Sequence, residues 1–233
     1  MSVTFIFDKN RLFNDGLLHI PSFFKGEHLQ AIQDEIMQMI NDQSRMVPRE
    51  GSEHFFQKYQ STSYCFVNQH VHYPTLKALE MNVLIDAILR GIFPEGFQLQ
   101  QSLVQHNKAG EGQAIPWHQD VHFEKVAPSK MFNFLLYPFD TTLESGALHF
   151  VVGSHKQGRL PKGEPHESLS GEQAIAPKAG DLIIGDCRLF HKVNHNYSDQ
   201  DRLSINMRFH SSEVAVEDTN VGVYRNGQVN YAG

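Results

Sequence analysis

The chain has 233 residues, 40% hydrophobic and 20% charged, which is enough apolar matter for one large domain or two small ones. Its formal net charge of −6 provides no overall field for binding nucleic acid or an anionic membrane. No apolar run approaches the length of a membrane span, the first residues lack a signal-peptide pattern, and two cysteines cannot form a disulfide framework. We therefore expect a cytoplasmic protein, monomeric or homodimeric, without a nucleic-acid or membrane partner.

The first 96 residues predict a mixed, largely helical part. Apolar side chains at helical spacing predict an amphipathic helix over 26–42. A second helical region begins at Pro74, because proline is tolerated in a first helical turn, and continues to about Ile92 as two helices. Short strands are predicted at Leu17–Pro21 and Tyr64–Val67, a further candidate strand at Thr4–Phe7, and a loop over 43–61.

From residue 97 onward the pattern changes to short strands rich in β-branched or aromatic residues and bounded by turn residues. A helical front followed by many such strands predicts a β-sandwich or barrel that carries helices on one outer face. The predicted strands are Phe97–Asn107, Met131–Phe139, Ala147–Val152, Asp181–Gly185, Leu189–His195 and Arg202–His210.

No repeat or linker divides the chain, so we expect a single domain. Residues 1–96 would pack on a core of 97–210, and 211–233 would form a C-terminal extension. The polar connection over 156–180 is long for a compact domain, which is typical of a lid, a binding loop or a mobile segment.

His118 and Asp120 indicate a metal site. Side chains two residues apart in an extended segment point to the same side, so an imidazole nitrogen and a carboxylate oxygen could share one ion. Two protein ligands are too few for iron or zinc, and a third is expected from elsewhere. His191 and His195 are both candidates, because in a strand they share one face.

Arg202 indicates what occupies the rest of the site. Arg202 and Ser204 share one face of a predicted strand, and apolar residues occupy the other face. An arginine that points into a barrel is unfavourable to bury unless an anion meets it, and a dicarboxylic acid would supply that anion. Two histidines and one carboxylate on one face of an iron ion are typical of non-haem Fe(II) oxygenases.

Three segments carry a family resemblance: Trp117–Asp120, Ser145–Lys156 with its Gly-Ser-His turn, and the spaced pattern His191-x4-Asn196-x-Ser198-x3-Arg202. In this order they resemble the proximal, middle and distal motifs of the phytanoyl-CoA dioxygenase (PhyH-like) family of Fe(II)/2-oxoglutarate oxygenases. The resemblance covers about 97–210 in detail. One departure is Val152, where the family usually has proline.

The resemblance implies a double-stranded β-helix (a cupin-like jelly roll) and a set of residue roles. His118, Asp120 and His191 would be the iron ligands, Arg202 would bind the far carboxylate of 2-oxoglutarate, and Ser204 would be a hydroxyl helper. The implied reaction is oxidation of a small molecule with Fe(II), 2-oxoglutarate and O2, releasing succinate and CO2. Hydroxylation is favoured, because related halogenases lack the carboxylate that Asp120 supplies.

Each of these residues also has an ordinary structural interpretation. His118 and Asp120 could form a surface pair, His191 could be a core histidine bonded to a backbone carbonyl, and Arg202 could pair with a neighbouring aspartate. Further candidates for the pocket wall are Gln101, Gln105, Asn107, Lys108, Phe123, Asn133 and His149.

Two other functions stay open. One is a non-catalytic cupin-like metal- or ligand-binding or sensor protein, and the other is a metalloenzyme that does not use 2-oxoglutarate. The second would leave Arg202 without a purpose. No concentrated Lys/Arg cluster suited to the phosphates of coenzyme A is present, which favours a free, small polar substrate.

Overall fold

The structure of the protein is a computed structural model that describes residues 7–42, 64–110, 114–121, 123–161, 167–219, 223–225 and 228–230. The candidate strand at Thr4–Phe7, apart from Phe7, and the loop over 43–61 lie outside these residues. No helix of the described ranges is both long and apolar enough to cross a membrane. The α-helices are α1 (Lys9–Asp15), α2 (Gly26–Asn41), α3 (Pro74–Ala78) and α4 (Val83–Ile92), and 3-10 helices span Gln69–His72, Leu79–Met81, Ser154–Lys156 and Val216–Thr219.

The strands pair into two antiparallel sheets and one small hairpin. The larger sheet has the order β1-β8-β5-β10-β3-β2, and the smaller has the order β4-β9-β6-β7. β1 and β2 come from the N-terminal part of the chain, so that part contributes both edge strands of the larger sheet. The strands are β1 (Leu17–Ile20), β2 (Tyr64–Val67), β3 (Phe97–Asn107), β4 (Ile115–His118), β5 (Met131–Leu136), β6 (Leu148–Val151), β7 (Glu172–Ile175), β8 (Leu182–Asp186), β9 (His191–Val193), β10 (Arg202–Ser211), β11 (Val223–Arg225) and β12 (Gln228–Asn230).

Alternation along the strands produces two of the three apolar clusters that the described residues form. On β8, Ile184 packs into a core shared with the helices, whereas Ile183 packs into a second core between the two sheets. The helical core takes buried side chains such as Ile32 of α2 and Ile88 of α4. The larger sheet therefore lies between the helices and the smaller sheet, as the sequence predicts.

β10 is buried along its whole length but has one polar face. Leu203, Ile205 and the next two alternate residues, Met207 and Phe209, join the helical core. The intervening side chains point to the interior between the sheets. These are Arg202, Ser204, Asn206, Arg208 and His210, all at least nine-tenths buried.

β7 and α1 are among the elements that the sequence did not predict. β7 lies inside the long connection over 156–180, pairs only with β6, and has a half-exposed, largely polar sequence without apolar alternation. α1 buries a single side chain, Leu12, so it has no apolar stripe. Its ends do carry signals: the Asp8 carboxylate accepts from the amide of Arg11, and Gly16 is left-handed at the C-terminus.

Gly180 provides a test of the contact between the helical layer and the sheet. A Cβ at Gly180 would lie 2.1 Å from the carbonyl oxygen of Phe24, and its φ of +87° is left-handed. Gly158 is a matched control, because its φ is +81° but a Cβ there would meet nothing within 4 Å. We expect Gly158→Ala to lower the free energy of unfolding by about 1–2 kcal/mol, and Gly180→Ala to lower it by about 1–3 kcal/mol more. Urea unfolding measures both, and equal losses would contradict the close approach.

Candidate metal centre

The register of two strands brings the metal-ligand candidates together. β4 pairs with β9 so that His118 lies opposite His191, and their ring centroids are 4.1 Å apart. Asp120 lies two residues beyond the end of β4; its Oδ1 is 3.4 Å from His118 Nε2 and its Oδ2 is 3.8 Å from His191 Nε2. Potential ligand atoms of all three residues lie within 4.8 Å of one another. Bonds of about 2 Å to one ion place ligand atoms roughly 3–4 Å apart, so the three fit a single metal.

Backbone hydrogen bonds orient both imidazoles. His118 Nδ1 is 2.7 Å from the carbonyl oxygen of Pro116, and His191 Nδ1 is 2.8 Å from that of Leu189. A carbonyl only accepts, so each Nδ1 carries the proton and each Nε2 keeps a lone pair for a metal. The backbone bond of His191 therefore does not compete with metal binding, since the other nitrogen faces Asp120.

The carboxylate of Asp120 is fixed by two buried side chains. Its Oδ2 accepts from Arg208 Nη2 and from Asn133 Nδ2, both at 2.9 Å, while Arg208 Nε donates to Asn133 Oδ1 at 2.8 Å. Burial alone would raise the pKa of Asp120, but the pKa is held well below its usual value, chiefly by the charge of Arg208. Because Oδ2 is occupied, Oδ1 is the oxygen left to meet a metal.

Arg202 has no carboxylate partner in the described part of the chain. It is 2% exposed, its Nη2 donates to the hydroxyl of Tyr137 at 3.4 Å, and its Nε and Nη1 have no hydrogen-bond partner. The neighbouring Asp201 instead contacts His106 Nε2 at 2.6 Å and accepts from the amide of Ala109. The guanidinium is thus buried with most of its donors unused.

Asn107 and Ser204 adjoin this guanidinium. Asn107 is the pairing partner of Arg202 across β3 and β10, and directly opposed residues point to the same face. It is fully buried, and neither its amide nitrogen nor its amide oxygen has a partner. Ser204 is also buried and shares the face of Arg202. These orphaned polar atoms form a site suited to an anion.

The remaining candidates have different positions. His195 packs its ring on Tyr197, with centroids 4.8 Å apart, and is outside the group formed by the three metal-ligand candidates. His149 contacts Glu172 and Asn194. Gln101 and Gln105 lie opposite Arg208 and Ser204 in the β3–β10 pairing, and Lys108 follows β3.

Side chains next to the metal-ligand candidates hydrogen-bond to the backbone of the long connection at Gly158 and Glu167. Gln119 Nε2 donates to the carbonyl of Gly158 at 3.0 Å. Trp117 Nε1 and Lys192 Nζ both donate to the carbonyl of Glu167, at 2.9 and 2.6 Å. Both ends of the 158–167 stretch are therefore attached to the segments that carry the metal-ligand candidates, which the sequence did not predict.

Arg208 is a functional candidate that the sequence did not indicate. Its position was detectable in principle, because it shares the alternating polar face of β10 with Arg202 and Ser204. Its partner was not, since Asn133 is brought opposite Arg208 only by the pairing of β5 with β10.

Replacement of Arg208 tests the charge balance at Asp120. We expect Arg208→Leu to lower the stability of the metal-free protein by about 3–5 kcal/mol, because the buried carboxylate loses its compensating charge. A divalent ion would restore a positive charge there, so Mn²⁺ should raise the Tm of the variant more than that of the wild type. Arg90→Leu, at an exposed pair with Asp86, is the control and should leave the Mn²⁺ effect unchanged. Equal Mn²⁺ effects in Arg208→Leu and wild type would contradict this role.

The stability of the metal-free protein should also depend on pH through His191. Burial, then the nearby charge of His118, lowers the pKa of His191 to about 4. An unfolded histidine titrates near pH 6.5, so between about pH 6.5 and 4 the unfolded chain takes up a proton that the folded chain refuses. Stability present above about pH 6.5 should fall by roughly 3 kcal/mol over this window. Urea unfolding at several pH values checks this, and an unchanged pH slope in His191→Gln would refute it.

Comparisons with known proteins identify the family and the fold. The family described as phytanoyl-CoA dioxygenase (PhyH) matches residues 13–204. A protein of Stutzerimonas stutzeri named as a probable alpha-ketoglutarate-dependent hypophosphite dioxygenase is 23% identical over 208 residues, which are 83% of this chain and 72% of that protein.

Solved structures share the fold. The epimerase SnoN, in complex with Fe³⁺, alpha-ketoglutarate and nogalamycin RO, has a TM-score of 0.72 at 18% identity, covering 95% of this chain and 90% of its own. HygX from Streptomyces hygroscopicus, with nickel, 2-oxoglutarate and hygromycin B bound, has a TM-score of 0.71 at 14% identity, covering 88% of each chain. The predicted jelly roll is confirmed.

The family match extends over most of the chain, from the helical part to β10. It confirms the predicted class of enzyme, a non-haem iron dioxygenase dependent on 2-oxoglutarate, and with it the predicted use of Fe(II), 2-oxoglutarate and O2. Nothing in the comparisons supports a non-catalytic protein. The chain belongs to the phytanoyl-CoA dioxygenase family.

Proposed function

We propose that this protein hydroxylates a small-molecule substrate, with Fe(II) held by His118, Asp120 and His191 and 2-oxoglutarate anchored by Arg202. The proposal rests on one observation. Three potential metal ligands lie in the same barrel as a buried arginine that has no anionic partner among the described residues. Two histidines and one carboxylate leave coordination positions open for cosubstrate and oxygen. We also propose that the chain forms a single domain and acts in the cytoplasm as a monomer or homodimer.

The three metal-ligand candidates would bind the ion through His118 Nε2, His191 Nε2 and Asp120 Oδ1. The backbone carbonyls of Pro116 and Leu189 keep the rings in the tautomer that ligation needs. The lowered pKa values of Asp120 and His191 keep the carboxylate charged and the imidazole neutral at pH 7, so neither has to lose a proton before binding metal.

Arg202 would anchor the far carboxylate of 2-oxoglutarate. Its Nε and Nη1 are free, and a guanidinium matches a carboxylate in a two-pronged geometry. The amide of Asn107 and the hydroxyl of Ser204 lie on the same face and would complete the contacts. Binding of 2-oxoglutarate would give the unused donors of Arg202 an acceptor. A metalloenzyme that does not use 2-oxoglutarate would leave these donors without one.

The body of 2-oxoglutarate would lie in the cavity between the sheets. Its walls include Leu135, Leu148 and Ile183, and His191 and Asn133 also line it. Apolar walls suit the methylene carbons of the cosubstrate. The volume of about 20 Å³ holds little more than one water, so the wall side chains must move apart when the cosubstrate enters.

With 2-oxoglutarate and O2 bound, the iron would supply the oxidising chemistry: one oxygen atom goes into succinate, CO2 is released, and the other atom goes to the substrate. The protein contributes position and exclusion of water. Asp120 would fill the coordination position that halogenases of related type leave to chloride, which favours hydroxylation. The proteins compared above support a small-molecule substrate. The relative from Stutzerimonas stutzeri is named for hypophosphite, SnoN is in complex with nogalamycin RO, and HygX has hygromycin B bound.

Arg202→Met tests the anchor, because methionine fills space without donors. We expect affinity for 2-oxoglutarate to fall by about 10–100-fold, while affinity for Fe(II) changes by less than about threefold. The Tm of the metal-free protein should stay level or rise, because an unsatisfied buried charge is removed. The measurement is an anaerobic titration of the metal-to-ligand charge-transfer band with 2-oxoglutarate.

Arg11→Met, at an exposed pair with Asp15, is the control and should behave as the wild type. Equal losses of metal and 2-oxoglutarate affinity in Arg202→Met would show that Arg202 is only structural. Failure of the metal-loaded wild type to form the band would count against the proposed function itself.

A further inference from the structure

A second largely buried arginine lies on a segment whose backbone contacts the metal-ligand candidates. Arg188 is 9% exposed and precedes His191 by three residues. Its Nε is buried without a partner, and within the described residues its guanidinium makes neither a hydrogen bond nor an ion pair. It therefore resembles Arg202 rather than Arg208, whose charge is compensated by Asp120.

The backbone of Arg188 is fixed among the metal-ligating segments. The amide of Asp120 donates to the carbonyl of Cys187 at 2.7 Å, and Gln119 Nε2 donates to the carbonyl of Arg188 at 2.8 Å. The side chain lies over Phe123, with the guanidinium carbon 4.2 Å from the ring centroid. The positive charge is thus held against the segment that directly follows Asp120.

Within the described residues, neither neighbouring carboxylate forms an ion pair with this guanidinium. Asp186 accepts from the backbone amide of Arg188 and from Ser129, and the exposed Glu124 pairs with Arg159 at 3.8 Å. Burial lowers the pKa of Arg188, and the charges of Asp186 and Glu124 oppose that shift. An arginine stays protonated at pH 7 even so, and a buried charge without a partner is unfavourable.

Stacking on Phe123 accounts for only one face of the guanidinium. A ring beneath the plane gives a modest cation–π attraction but uses none of the N–H donors, which project from the edge. A purely structural arginine would direct those donors at backbone carbonyls, as Lys192 does with Glu167. The unused edge of Arg188 is therefore suited to an incoming anion.

We propose that Arg188 binds an oxyanion group of the primary substrate, a carboxylate or a phosphorus oxyanion, and so positions the substrate beside the metal. The inference rests on the proposed function, because it requires metal and 2-oxoglutarate to occupy the same barrel. Because Arg202 and Asn107 would bind the far carboxylate of 2-oxoglutarate, Arg188 remains available for an anionic group of the substrate. Neutral and cationic analogues of the substrate would leave this guanidinium unpaired and would bind more weakly.

The test uses the full chain with Fe(II) and saturating 2-oxoglutarate under anaerobic conditions. Methylphosphonate, acetate and the neutral isostere acetamide are titrated separately while the charge-transfer band is recorded. We expect at least one anion to perturb the band saturably and acetamide to have no effect. A response to only one anion identifies which oxyanion the substrate carries.

Variants then assign the effect to Arg188. Arg188→Met should weaken the responding anion at least about tenfold, with 2-oxoglutarate affinity changed less than about twofold. Arg188→Lys should recover part of the anion affinity, because it restores the charge without the fork. Arg159→Met, at the exposed neighbouring arginine, is the control and should leave the anion affinity unchanged.

The outcomes separate this inference from the proposed function. A band that forms normally but responds to neither anion, or an unchanged anion affinity in Arg188→Met, overturns the inference alone. Anions that displace 2-oxoglutarate also overturn it, because Arg188 would then serve the cosubstrate. If the wild type forms no band, the proposed function fails first. The Tm of each variant shows that it is folded, and Arg188→Lys keeps the test valid if Arg188→Met is not.

Discussion

The balance of buried charge governs this barrel. Arg208 is paired with Asp120, whereas Arg202 and Arg188 are largely buried and form no ion pair within the described ranges of the chain. Each uncompensated guanidinium lowers the stability of the folded chain, and that free energy is recovered when an anion binds. In this account the protein is least stable when empty, and cosubstrate and substrate would complete its interior.

Rigid elements hold the metal-ligand candidates. His118 and His191 lie opposite each other on paired strands, and Asp120 is held in the following bend by Arg208 and Asn133. Neighbouring side chains on these segments hydrogen-bond to the backbone carbonyls of Gly158 and Glu167. The segments that carry the metal-ligand candidates thus also hold the backbone at Gly158 and at Glu167.

Sequence reasoning succeeded where the signal was local. Helical spacing predicted α2, and alternation along β10 singled out Arg202 as a residue facing the interior. Motif order brought His118, Asp120 and His191 into one site before any strand pairing was known. The partnership of Arg208 with Asn133 was beyond reach, because it depends on two strands about 70 residues apart in sequence. β7 escaped notice because a half-exposed edge strand needs no apolar alternation.

The position of the bound metal tests most directly whether His118, Asp120 and His191 are its ligands. Anomalous diffraction from crystals grown with Mn²⁺ and 2-oxoglutarate would locate the ion without reference to activity. We predict one peak within bonding distance of His118 Nε2, His191 Nε2 and Asp120 Oδ1, with the far carboxylate of 2-oxoglutarate on Arg202. A peak bound through His195, or an ion that lacks Asp120 among its ligands, would contradict this account.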